Sequence, residues 1–164
     1  LERQGMIRGN YRNRISVVNN LDELEEELKW KGGKVKRNTI NELLMLQNNV
    51  ISTLSKRFAL RIIRLYKYLT EEKREYVMAR QVYRSGTSIG ANIAESKNAQ
   101  SPADFINKLS IALKEADETQ YWLELLYESK TIDDNEFESL SNDLKTIIGT
   151  LINIINKIKA KNQK

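Results

Sequence analysis

A chain of 164 residues, 40% hydrophobic and 30% charged with a net charge of +5, has room for one domain with a sizeable core and a shorter appendage. It contains neither cysteine nor histidine, which excludes disulfides, thiolate and imidazole metal sites, cysteine nucleophiles and every histidine-based triad. Carboxylate-only chemistry is left, but no paired acidic motif stands out, no apolar run approaches the roughly 20 residues that span a bilayer, and Leu1-Glu2-Arg3-Gln4-Gly5 is not the start of a signal peptide. The expectation is a cytoplasmic, non-enzymatic protein with no cofactor, no metal and no membrane segment.

Charge is segregated along the chain. Residues 48–100 carry ten Lys/Arg against four Asp/Glu, residues 101–138 three against ten, and residues 139–164 five against one. A protein with a basic side and an acidic side is expected.

Residues 1–20 hold Arg3, Arg8, Arg12 and Arg14 among Asn and Gly without periodicity, and read as a flexible basic arm or simply a disordered terminus. Asn20, three residues before Glu23, is an expected N-cap for a short helix with Leu21, Leu24 and Leu28 on one face, stopped by Gly32-Gly33. Thr39 and Glu42 repeat the capping pattern. From there Ile40, Leu43, Leu44, Val50, Ile51, Leu54 and Phe58 keep an approximate helical period, which by itself permits one helix from Thr39 to Leu69.

The stretch of about 52–69 is two-faced: Phe58, Ile62, Leu65, Tyr66 and Leu69 gather on one side, and Arg57, Arg61 and Arg64 recur on the other. Thr70, ahead of Glu71-Glu72, is the expected cap of a second helix reaching about Lys97, with Lys73, Arg80 and Arg84 on one face. Ser101-Pro102-Ala103-Asp104 starts a third helix, with Ser as N-cap, the chain's one proline at N1 and Asp at N3. That helix turns Phe105, Leu109, Ala112, Ala116, Thr119, Leu123 and Leu126 inward and ends near Ser129. Asp133 and Glu136 cap a fourth, whose seam is Leu140, Leu144, Ile147, Leu151, Ile154 and Ile158, with Lys157, Lys159 and Lys161 complementing the dipole at its end. No segment alternates as a half-buried strand does. The fold expected is all-α: an up-down-up-down antiparallel four-helix bundle over residues 48–164, behind an N-terminal extension of residues 1–47.

The second helix contains Arg84-Ser85-Gly86-Thr87-Ser88-Ile89-Gly90-Ala91-Asn92-Ile93-Ala94-Glu95-Ser96. Two glycines inside a helix cost roughly 1 kcal/mol each relative to alanine, so close packing is expected to compensate. Gly86, Ile89, Gly90 and Ile93 are therefore assigned to a tight helix crossing, within the bundle or between subunits, which Gly90→Leu should overfill. A phosphate-loop reading fails because no Lys-Ser/Thr pair follows and no strand precedes.

The functional candidate is a basic surface of Arg57, Arg61, Arg64, Lys67, Lys73, Arg74, Arg80 and Arg84, an array suited to phosphate backbones through charge and bidentate arginine contact. A solvated charged face, or a surface that docks an acidic protein, accounts for the same residues. Tyr121-Trp122 and Tyr127 are read as packing residues rather than a stacking platform, because Glu118, Glu124 and Glu128 surround them.

Three stretches, residues 58–69, residues 84–96 and residues 104–112, make the chain resemble the bacterial "four helix bundle protein" family. That family includes proteins encoded in intervening sequences of 23S rRNA genes and the accessory variability proteins of diversity-generating retroelements. The likeness runs from about Asn48 to the C-terminus, and residues 1–47 have no counterpart in it. It implies a fresh helix start near Ser52 after Asn48-Asn49, which is the expectation here. It further implies a homopentamer, association with nucleic acid (RNA or an RNA/DNA hybrid) and, in the retroelement branch, a reverse transcriptase as partner.

Overall fold

The computed structural model describes residues 37–162. The chain divides into two compact units, Leu1–Leu46 and Gln47–Lys164. Of the first unit only residues 37–46 are described, and they are helical. The basic arm, the short helix expected after Asn20 and its Gly32-Gly33 stop lie outside the described residues.

Four helices follow one another: α1 (Arg37–Glu71), α2 (Val77–Ser96), α3 (Pro102–Glu128) and α4 (Asp134–Asn162), and no strand occurs among the described residues. They form the antiparallel four-helix bundle. Ile62 and Ser55 of α1 meet Gly86 and Gly90 of α2 in reverse order, as Ser85 and Glu95 of α2 meet Thr119 and Lys108 of α3. Tyr127 stacks on Phe137 where α3 turns into α4, and Arg61 reaches Asp143 to close α4 against α1.

Three expectations about helix ends are corrected. α1 runs unbroken through Asn48-Asn49, so no new helix starts near Ser52. The segment contains neither proline nor glycine. A modest asparagine propensity cost is outweighed by burying Ile51 and Phe58 two turns apart on the same stripe. Thr39 already lies inside this helix, so Thr39–Glu42 is not its cap. Thr70 also lies inside α1, and its hydroxyl donates back to the Tyr66 carbonyl at 2.9 Å, as a helical threonine does.

The N-cap position of α2 is Tyr76, and the first amides are satisfied from one residue before it by Glu75, whose Oε1 accepts from the Val77 and Met78 amides, each at 2.8 Å. Lys73 consequently belongs to the loop and not to the α2 face that carries Arg80 and Arg84. The other caps are where the sequence puts them. Ser101 Oγ accepts from the Asp104 amide at 3.1 Å, and Asp104 Oδ2 accepts from the Gln100 amide. Asp133 Oδ1 accepts from the Glu136 amide at 2.8 Å. α3 ends in a Schellman turn: Lys130 adopts φ 57°, its amide donates to the Tyr127 carbonyl, and the Thr131 amide donates to Leu126.

The apolar stripes converge on one core. Phe58, Ile62, Leu65 and Leu69 of α1, Ile89 and Ile93 of α2, and Leu109, Ala112, Ala116, Leu123 and Leu126 of α3 are all buried. So are Leu140, Leu144, Ile147, Leu151 and Ile154 of α4. Tyr66, Phe105 and Ile158 pack on this core while half-exposed. At roughly 1.5–3 kcal/mol for each large buried side chain, these stripes outweigh the helix-propensity cost of Gly86 and Gly90 many times over.

Candidate nucleic-acid interface

The orientation of α1 sorts its cations. Ser55 and Ile62 face α2, and Arg61 faces α4. At about 100° per residue, Arg57 and Arg64 lie within about 60° of Arg61, on the flank next to α4. Arg61 itself is consumed structurally: Nη1 donates to Asp143 Oδ2 at 2.5 Å and to the Ser139 carbonyl at 3.0 Å, and Nη2 donates to Ser139 Oγ at 2.9 Å. Arg57 is half-buried, Arg64 and Lys67 are exposed, and none of the three holds an ion pair among the described residues.

The remaining candidates fall into two other groups. Lys73 and Arg74 sit in the α1–α2 loop, Arg74 at φ 56°. The Lys73 ammonium lies 5.5 Å above the Tyr68 ring, and Glu71, Glu72 and Glu75 surround the two cations in sequence. Arg80 and Arg84 stand on the outer face of α2. Arg80 Nε donates to the Tyr76 carbonyl at 3.2 Å, and Arg84 lies 3.9 Å from Glu118 Oε1. The eight residues are thus three groups and not one patch. Within the α1 group Arg61 is paired with Asp143, whereas Arg57, Arg64 and Lys67 hold no ion pair among the described residues.

Burial controls the carboxylates near these groups. Glu136 is held above its ordinary 4.5 chiefly by desolvation and next by Asp133, with Arg61 and Lys73 opposing. Glu115, across from Arg84, is raised by desolvation and by Glu118. On the opposite rim, Glu95 accepts from Lys108 at 2.6 Å and raises the lysine pKa.

Sequence reasoning missed Lys56, which is exposed and lies within about 20° of Lys67 around α1, three turns earlier. The i, i+11 spacing was the available signal. It also missed Tyr76 and Tyr83, seven residues apart, which are 53% and 39% exposed. Of the aromatics it did consider, Tyr127 stacks on Phe137 with centroids 4.3 Å apart, and Trp122 Nε1 donates to Glu118 at 3.2 Å.

A groove of about 530 Å³ opens beside the α2–α3 turn between Asn48, Ile51, Ile93, Ser96, Phe105 and Leu109. Lys97 is the one ionisable side chain on its lining, so it offers no acid–base pair. Among the described residues no three carboxylates gather as metal ligands, and no helix is long and apolar enough to cross a membrane.

Comparison with known proteins places this bundle. No curated protein matches the chain. The crystal structure of a protein of unknown function from the S23 ribosomal protein family, from Bacteroides thetaiotaomicron VPI-5482, is similar at 55% identity and a TM-score of 0.67. The match covers 67% of this chain and 98% of that one. Residues 47–153 match the 23S rRNA-intervening sequence protein family, which covers the bundle from Gln47 in α1 to Asn153 in α4 and leaves out the residues before Gln47. The chain belongs to the 23S rRNA-intervening sequence protein family.

Proposed function

We propose that this protein is a non-enzymatic, basic RNA-binding accessory protein that acts as a homo-oligomer and engages phosphates through the outer side of α1. The observation that carries this reading is the set Lys56, Arg57, Arg64 and Lys67. These cations extend over three turns of one helix and hold no ion pair among the described residues, while acidic residues are concentrated on α3. Such an array binds backbone charge and releases counterions. Four phosphate contacts give a log–log salt slope of about −3 for RNA.

The test is affinity for single-stranded RNA, duplex RNA and an RNA/DNA hybrid across a salt series. Arg57→Ala, Arg64→Ala and Lys67→Ala should each weaken all ligands similarly and reduce the slope by about one unit. Binding that ignores salt would overturn the reading. Intact RNA binding by an Arg64→Glu/Lys67→Glu double variant would favour a protein-docking module instead.

The family description supports the intervening-sequence branch, which makes 23S rRNA the first RNA to try. The retroelement branch, with a reverse transcriptase as partner, is decided by gene context: an adjacent reverse transcriptase selects it, an enclosing ribosomal RNA gene rejects it. For assembly we propose the homopentamer, with a solution mass five times the 19.1 kDa chain.

A further inference from the structure

We propose that Tyr76, Arg80 and Tyr83 form a platform on which unpaired RNA bases stack. The proposal rests on the RNA-binding reading above and narrows it to single-stranded ligand. The i, i+4, i+7 spacing sets the three α2-end residues along one strip of the helix surface. Tyr76 is 53% and Tyr83 39% exposed. Tyr83 leans on Tyr66 of α1, centroids 4.9 Å apart and tilted by 54°. That contact fixes the Tyr83 ring against α1. Arg80 Nε is tied to the Tyr76 carbonyl, which fixes a cation about one helical turn from each tyrosine, and Arg80 has no carboxylate partner among the described residues.

An exposed tyrosine is by itself unremarkable, and Tyr121 shows the contrast. It is 54% exposed, but Asp117, Glu118 and Glu124 stand within four residues of it on α3, a setting that repels phosphate. Tyr83 is flanked by Arg80 and Arg84 and Tyr76 by Arg74 and Arg80, with the adjacent Glu75 turned onto the Val77 and Met78 amides, and aromatic rings beside a positive track are how sequence-tolerant single-strand binders hold bases. Seven helical residues separate the rings by roughly 10 Å along the axis. Bases in an intact duplex repeat every 3.4 Å and cover one another's faces, so only a strand with splayed bases can offer one base to each ring.

The experiment uses the full chain and three ligands of equal length: a single-stranded RNA, the same strand annealed to its complement, and an abasic strand with the same phosphates. Tyr76→Ala/Tyr83→Leu, the leucine keeping bulk against Tyr66, should lose about tenfold or more in affinity for the single strand. Affinity for the duplex and the abasic strand, and the salt slope, should be unchanged, and Tyr76→Phe/Tyr83→Phe should bind as the parent does. Equal losses on all three ligands, or no loss on the single strand, overturn the platform and leave the phosphate reading standing. Failure of the unaltered protein to bind any of them with salt dependence overturns both.

Discussion

A Cβ placed on Gly86 would lie 2.8 Å from Cγ1 of Ile62, and no farther than 3.2 Å from its Cγ2 and Cδ1. Ile62 is fully buried, so it has no free direction in which to yield. At Gly90 the nearest atom to such a Cβ is the Ser55 carbonyl oxygen at 3.5 Å, an ordinary contact. Both glycines face α1 of the same bundle, but only Gly86 is obligatory. Gly90→Ala should stabilise by about 1 kcal/mol through helix propensity. Gly86→Ala sets the same gain against overpacking of about 1–3 kcal/mol and should lose on balance, and Gly86→Leu should be the more damaging of the two leucine substitutions. Thermal melts decide; equal stabilisation by both alanines would refute the close approach.

Arg61 and Asp143 join elements 82 residues apart, with side chains 25% and 21% exposed. At that burial a charge-assisted contact is worth about 1.5–3 kcal/mol, and leaving one partner behind costs more than removing both. Arg61→Ala and Asp143→Ala should each destabilise by about that amount, with the double variant losing less than the sum. Arg61→Ala should also leave the salt slope for RNA where it was, in contrast to Arg64→Ala. A loss of slope with stability kept would return Arg61 to the binding surface.

Glu115 has a buried Oε2 without a hydrogen-bond partner, and its pKa is raised by desolvation first and by Glu118 second. A carboxyl raised in the native state holds its proton more tightly there than in the unfolded chain. Its contribution to stability therefore falls as pH rises from the unfolded value near 4.5 through the raised native one. Glu115→Gln should melt higher than the parent at pH 7, and the gap should close on acidification below that window. Glu136 has the same sign and remains in both proteins. Parallel melting curves at all pH values would exclude the effect.

Lys130 closes α3 at φ 57°, a conformation that costs a side-chain-bearing residue about 1–2 kcal/mol. Lys130→Gly should recover several tenths to about 1 kcal/mol after the glycine's larger unfolded-state entropy is counted. By contrast Glu75→Ala removes the acceptor for two amides at the start of α2 and should cost about 1 kcal/mol. Circular dichroism melts of the two variants should move in opposite directions.

The sequence by itself determined whatever depends on residues within about one helical turn. Ser101, Pro102 and Asp104 start α3, and Asp133 starts α4, because a cap is a hydrogen bond to an amide three residues away. The seams from Leu109 to Leu126 and from Leu140 to Ile154 were legible because a 3.6-residue period marks the side that must be buried. The continuity of α1 was legible as well, in the period running from Ile40 to Phe58 and in the absence of Gly and Pro; the break expected near Ser52 came from the likeness, not from the residues. Thr70 and Glu75 show where local reading fails: both offer a capping oxygen, and the choice between them depends on where α1 stops packing.

Tertiary structure alone decided the rest. Whether a cation serves the fold or the surface depends on the rotation of its helix about its axis and on the register of the neighbouring helix. Those two quantities place Asp143 against Arg61, leave Arg64 and Lys67 without acid, and put Gly86 rather than Gly90 under Ile62. Neither quantity is written in local spacing, because both are fixed by how the four apolar stripes fill one core together.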